Sequence, residues 1–152
     1  MKKKGFSLIE LFIVLLILGL SISLVAPSLS KLFNTIEFKT TVQKISSLLR
    51  YYRSEAINKG RIYRVIFDLD EAVLKIKSLD SEETISYPLP KGILIKEINP
   101  NLIVDSSEKP TIEFYPNGGS NGGSILLNKD NREFKIFIHP LTGMVMIQSI
   151  KG

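Results

Sequence analysis

Lys2-Lys3-Lys4-Gly5-Phe6-Ser7-Leu8-Ile9-Glu10-Leu11 opens the stretch that decides the fold, and it continues as Phe12-Ile13-Val14-Leu15-Leu16-Ile17-Leu18-Gly19-Leu20. Between Phe6 and Pro27 the only charge is Glu10. The twenty-one residues from Phe6 through Ala26 would make about 31 Å of α-helix, matching a hydrocarbon core of about 30 Å. Three lysines ahead of the run and only Lys31 close behind it favour a cytoplasmic N-terminus with the rest of the chain translocated. An ordinary secretory signal peptide shares the basic start and the apolar run. It is disfavoured by Glu10 at the mouth of that run and by Pro27 directly after Ala26. A carboxylate at the centre of a bilayer costs about 3 kcal/mol, so Glu10 calls for a partner.

Working outward, Pro27 removes an amide donor and is expected to kink or locally open the helix. Beyond it Leu29, Leu32, Phe33, Ile36, Val42, Ile45, Leu48, Leu49, Tyr52 and Ala56 recur at three- and four-residue intervals, the period of an amphipathic helix. That helix should run to Lys59, with Gly60 as a left-handed terminator. Residues 6–59 would then form a helix of about 80 Å. From Arg61 the period becomes two. Ile62–Phe67 and Ala72–Lys77 flank Asp68-Leu69-Asp70-Glu71 and predict a hairpin. Further strands are expected at 84–87, 93–98, 111–115, 124–127, 134–138 and 145–150, punctuated by prolines and glycines. The fold class is therefore α+β, a long N-terminal helix packed on an antiparallel β-sheet head. Its parts are a basic leader 1–5, a transmembrane and assembly helix 6–27, an amphipathic continuation 28–60 and a β-rich head 61–152.

A chain of 152 residues suits one such domain. It has no cysteine and a single histidine, His139. Disulfide frameworks, thiolate metal sites, cysteine nucleophiles and histidine-rich metal sites are excluded by count. No cofactor or metal is expected. The net charge is +5, but without residues 1–5 there remain 17 basic against 15 acidic side chains, or +2. The overall balance thus says little about nucleic acid.

The run from Lys2 to Leu11 resembles the class III signal of type IV pilins and type II secretion pseudopilins. By that resemblance Gly5 is the cleavage-site residue for a prepilin peptidase, Phe6 is the new N-methylated first residue, Glu10 is the assembly glutamate, and Pro27 sits where many pilins carry a proline. The physical sense is independent of the name: cleavage creates an amine at Phe6, and an amine among apolar helices needs an anion to offset its desolvation. Glu10 of a neighbouring subunit can supply it and set the axial register.

Arg53-Ser54-Glu55-Ala56, Phe114 with the glycine loop 117–123 before Ile125-Leu126-Leu127, and His139-Pro140-Leu141-Thr142-Gly143-Met144-Val145 are similar to the pattern of the GspH/FimT pseudopilins. Where that family often has a basic residue after the Thr-Gly pair, this chain has Met144. The resemblance implies a minor pseudopilin of a type II secretion pseudopilus, or alternatively a type IV pilus minor pilin serving pilus biogenesis or DNA uptake. It also implies a bacterial inner-membrane protein with a cytoplasmic N-terminus and a periplasmic head. The implied partners are a prepilin peptidase, other pseudopilins or pilins, and an inner-membrane assembly platform.

Other motifs read as structure. The loop Asn117–Ser124 lacks the lysine and the following helix of a phosphate cradle, so a flexible strand connection is expected. Asp68, Asp70 and Glu71 lack the glycine and terminal glutamate of a calcium loop and are expected in a polar hairpin turn. Asp80, Glu82 and Glu83 are expected in a solvated loop. His139 has no sequence partner for nucleophilic catalysis, and the chain is expected not to be an enzyme. Residues 50–64 hold five basic side chains, Arg50, Arg53, Lys59, Arg61 and Arg64, with three tyrosines and one acid. Such a segment can contact DNA. The preferred reading is packing, because Tyr52 lies on the apolar stripe and cations suit a helix C-terminus.

Overall fold

The computed structural model describes residues 7–90, 92–100 and 109–151, leaving aside the side chains of 23–32, 34, 97–100 and 151. The element order is α1 (Leu8–Lys59), β1 (Tyr63–Asp68), β2 (Val73–Ser78), β3 (Thr84–Pro88), β4 (Leu94–Pro100), β5 (Thr111–Phe114), β6 (Gly123–Lys129), β7 (Arg132–Ile138) and β8 (Val145–Lys151). The chain divides into two units, residues 1–37 and 38–152.

In the first unit the Ser7 carbonyl accepts from the Glu10 and Leu11 amides at 3.0 and 3.2 Å. Glu10 lies in the first turn of α1, where a carboxylate complements the helix dipole. The large apolar side chains from Leu8 to Ile22 are exposed, between 45% at Val14 and 87% at Leu8. Among the described residues no helix is long and apolar enough to cross a membrane. The fifteen residues Leu8–Ile22 make only about 22 Å of helix, short of a hydrocarbon core. The expected span 6–26 extends past them at both ends: Phe6 lies outside the described residues, and residues 23–26, with Pro27 and its expected kink, fall in the stretch 23–32 set aside above.

In the second unit α1 buries Phe38, Val42, Ile45, Leu49, Tyr52 and Ala56, none more than 4% exposed. Their alternating spacing of four and three puts them on one face. This corrects the expected stripe. Phe33 and Ile36 are 66% and 53% exposed, whereas Phe38, absent from the expectation, is 1% exposed and meets Phe134 edge-on at 5.4 Å. Gly60 ends α1 at φ 63°, and the Arg61 amide returns to the Ala56 carbonyl at 3.2 Å. That six-to-one bond is the Schellman closure a left-handed glycine allows.

Among the described residues the head is antiparallel β as expected, and it holds two four-stranded sheets in the orders β3-β2-β1-β5 and β4-β6-β7-β8. The predicted hairpin is β1 with β2, registering Val65 with Ile76 and Phe67 with Leu74. Alternate residues of both sheets, including Val65, Phe67, Ile76, Ile112, Ile125 and Ile136, join the α1 stripe in one apolar core.

Asp68, expected in a polar hairpin turn, is instead the last residue of the strand before it, β1. It is fully buried, with Lys75 Nζ 2.8 Å from its Oδ2 and Lys109 Nζ on the same oxygen. Hydrogen bonds from Lys109 and then Lys75 hold its carboxyl well below the usual carboxylate range, while Asp68 and Glu71 raise the Lys75 ammonium to about 12. A buried carboxylate without those cations would not stay charged. Because the folded carboxyl titrates below its unfolded value of about 3.9, its contribution is fully present above that value and disappears as pH falls below it. The thermal midpoint of the chain should therefore drop steeply below about pH 4. Asp68→Asn should have a lower midpoint at neutral pH and a shallower fall in acid. Parallel midpoint curves for the two proteins would remove this assignment.

The glycine loop is also corrected, because it is packed rather than flexible. Ser120 and Asn121 are each 6% exposed. Ser120 Oγ donates to the Glu113 carbonyl at 2.6 Å, Asn121 Nδ2 donates to the Thr111 carbonyl at 3.0 Å, and Asn121 Oδ1 accepts the Glu113 amide at 2.9 Å. Serine and asparagine side chains compete well for backbone groups, and here they cap the free edge of β5.

Candidate functional site

Two regions carry the sequence-derived candidates. At the N-terminal one, Glu10 is an exposed carboxylate in the first turn of a helix whose flanking apolar side chains are also exposed. Gly5 and Phe6 lie outside the described residues.

The second region is residues 50–64, and the structure gives each of its five cations an intramolecular contact. Arg50 Nη2 donates to the Val145 carbonyl at 2.9 Å. Arg53 Nε, one turn on, donates to the carbonyls of Thr142 at 2.8 Å and Gly118 at 3.1 Å. Lys59 pairs with Glu55 at 2.5 Å, which raises its pKa. Arg61 faces Asp80 at 3.7 Å, and Arg64 pairs with Glu113 across the β1–β5 ladder at 2.5 Å. Tyr52 is buried, its hydroxyl 3.3 Å from that of Tyr87, and burial followed by that hydroxyl pushes its pKa up. Arg50 and Arg53 thus hold α1 to the start of β8 and to two loops, their guanidiniums donating to backbone carbonyls.

The Arg50–Arg53 clasp joins segments that sequence reading singled out separately. Gly143, at φ 61°, lies so close that an added Cβ would stand 2.5 Å from the Gly118 carbonyl oxygen and 2.9 Å from Arg53 Nε. Both the conformation and the approach require glycine. The turn after His139 closes through the Gly143 amide to the His139 carbonyl at 2.8 Å and the His139 amide to the Met144 carbonyl at 2.9 Å. His139 rests edge-on near Phe137, a packing position as expected. Sequence reasoning missed the clasp and the Asp68 cluster. The available signals were two arginines one helical turn apart and a carboxylate ending an apolar strand.

The family described as type II transport protein GspH matches residues 41–142, more than half of the chain. The chain belongs to the GspH family. Its matched segment runs from the buried part of α1 to the turn that Arg53 grips. This family comprises type II secretion pseudopilins, an envelope-associated class.

The type II secretion system protein H of Xanthomonas campestris pv. campestris is 22% identical over 142 residues, covering 93% of this chain and 81% of that protein. Among solved structures, the minor pseudopilin EpsH from the type 2 secretion system of Vibrio cholerae superposes with a TM-score of 0.57 at 14% identity, over 74% of this chain and 97% of that one. The type IV minor pilin FimU of Pseudomonas aeruginosa gives 0.55 at 17% identity, over 75% and 90%. These likenesses establish a pseudopilin and pilin fold, as the sequence implied.

Proposed function

We propose that the chain is a minor pseudopilin subunit of a type II secretion pseudopilus, acting by assembly rather than catalysis. In this reading prepilin peptidase cuts after Gly5, Phe6 becomes the methylated N-terminus, and the apolar helix holds the precursor in the inner membrane with the head in the periplasm. Other pseudopilins and the inner-membrane assembly platform are its partners. The carrying observation is the coincidence of a GspH-family head with an α1 start whose apolar side chains are exposed around Glu10. Exposed apolar surface on that scale marks an interaction site, and a filament of like helices, or a bilayer before it, covers it. The family match favours secretion over a type IV pilus role.

In-cell crosslinking of the processed protein with mass spectrometry of its partners tests this. Crosslinks to other pseudopilins and secreted substrates are expected. Crosslinks to a major pilin or to incoming DNA instead would move the protein to a pilus or uptake machine.

A further inference from the structure

We infer that the edge of β3, unpaired among the described residues, with the groove between it and α1, is a docking site for an extended segment of another polypeptide, which adds to the first sheet as a fifth strand. The inference concerns the head alone, goes beyond the subunit role above and does not depend on processing at Gly5.

The two edges of that sheet are treated differently. β5 is closed, because Ser120 and Asn121 occupy the backbone groups of Glu113 and Thr111. β3 is exposed at all five positions. Natural edges are blunted by charge, proline or bulges. Thr84-Ile85-Ser86-Tyr87 carries no charge, and proline comes only at Pro88.

The ladder shows which groups face outward. Ile85 registers with Ile76 and Tyr87 with Leu74, the Leu89 amide donates to the Ala72 carbonyl at 2.9 Å, and Pro88, opposite Val73, has no N–H to give. Hydrogen-bonded and non-bonded pairs alternate in an antiparallel ladder. Ile85 and Tyr87 therefore bond to β2, while Thr84 and Ser86 turn their N–H and C=O groups to the open edge.

Beside that edge lie two hollows separated by the Tyr52–Tyr87 hydroxyl contact. One, of about 300 Å³, is mainly apolar, lined by Ile45, Leu48, Tyr87 and Leu89 with the exposed cation Lys44 among them. The other, of about 250 Å³, is lined by Tyr51, Glu55, Tyr63, Ser78 and Ile85. Ser78 is 8% exposed, and its hydroxyl has no hydrogen-bond partner among the described residues. A buried hydroxyl left unpaired costs free energy, which a ligand's polar group would recover.

Tyr87 and Ile85 are two residues apart, the repeat of side chains on one face of a strand. The incoming segment consequently places an apolar side chain beside Tyr87, a hydroxyl-bearing one two positions away beside Ile85, and a carboxylate near Lys44. Main-chain bonds to Ser86 supply affinity and the two hollows supply choice, the division of labour in strand addition.

The test uses the full chain in detergent micelles, which keep its exposed apolar segment in solution, and fluorescence anisotropy. The probe is a fluorescein-labelled nonapeptide with serine at odd positions and threonine, threonine, leucine and aspartate at the even ones, alongside its order-reversed counterpart. Saturable binding of one of them is expected. Ser86→Pro, which removes an outward N–H without touching the β2 ladder, should weaken it at least about tenfold. If that variant does not fold, Ser86→Lys is read instead, since an edge charge opposes the same pairing. Ser78→Ala should weaken binding while leaving the thermal midpoint unchanged or raised. Absence of saturable binding by both peptides up to millimolar concentration, or binding indifferent to the edge variant and to Ser78→Ala, overturns the inference. Self-association of the chain that the edge variant abolishes also overturns it, by giving the edge to a second copy.

Discussion

Gly5→Val should leave the protein as a full-length precursor, with no detectable shift to the processed form on immunoblots of whole cells and no incorporation into filaments. A β-branched side chain would replace a bare Cα next to the bond between Gly5 and Phe6, where the proposed cut falls, and its three added carbons are expected to oppose that cut. Glu10→Ala provides the contrast. It should be processed normally, yet be recovered from sheared filament fractions at a small fraction of the wild-type level. Glu10 is exposed in the first turn of α1, where it could meet the amine that the proposed cleavage would create on a neighbour. An unpaired amine among apolar helices leaves a charge with no compensation, which outweighs the modest gain from removing the carboxylate. Assembly of Glu10→Ala at the wild-type level would end the register argument without touching the processing argument.

Phe38→Ala should cost the head about 3–5 kcal/mol, the range for emptying a buried phenylalanine site. Phe33→Ala, on the same helix, should change its stability by no more than about 0.5 kcal/mol. Phe38 is 1% exposed and packs against Phe134 of β7, so its loss opens a cavity where α1 meets the second sheet. Phe33 is 66% exposed and belongs to the other unit. Urea titration of the full chain in detergent, followed by near-ultraviolet circular dichroism of its tyrosines, reads the difference. The five tyrosines all fall at or after position 51, so the signal reports the head. Since domains of this kind are stable by about 5–15 kcal/mol, the Phe38 variant should lose a large share of the total. Equal effects at the two positions would mean that the buried stripe has been misplaced.

That pair also marks the limit of periodicity. Helix spacing identified apolar positions on α1, but Phe33 and Ile36 fit the three-and-four rhythm as well as Val42 does. A helix pattern records which side is apolar and says nothing of where a partner surface begins. The strands and the β1–β2 hairpin were legible because alternation and turn residues are local, and Gly60 because a helix end is a local event. The division into two sheets was not, since β1 pairs with β5 across the intervening strands, and pairing over that distance leaves no trace in either segment's own period.

The candidate site divides in the same way. The proposed roles of the basic start, Gly5, Glu10 and the apolar run were read in one dimension, because charge and hydropathy along a single helix already decide what a membrane or a helical filament can accept. The cations of residues 50–64 are different: composition alone left packing and DNA contact both open, and only the fold brought Arg50 to Val145 and Arg53 to Gly118 and Thr142. Likewise Asp68 reads as a turn residue until Lys109, forty-one positions away, reaches its carboxylate, and the glycine loop reads as slack until Ser120 and Asn121 close the edge of β5. By itself, then, the sequence determined the helix and the strands, which depend on neighbours a few residues away, and the proposed N-terminal assembly signal is local in the same sense. Tertiary structure alone decided which polar groups are buried and paired, because a charge or an amide finds its partner through space, and the cost of leaving it unpaired is set by the burial that the whole fold creates.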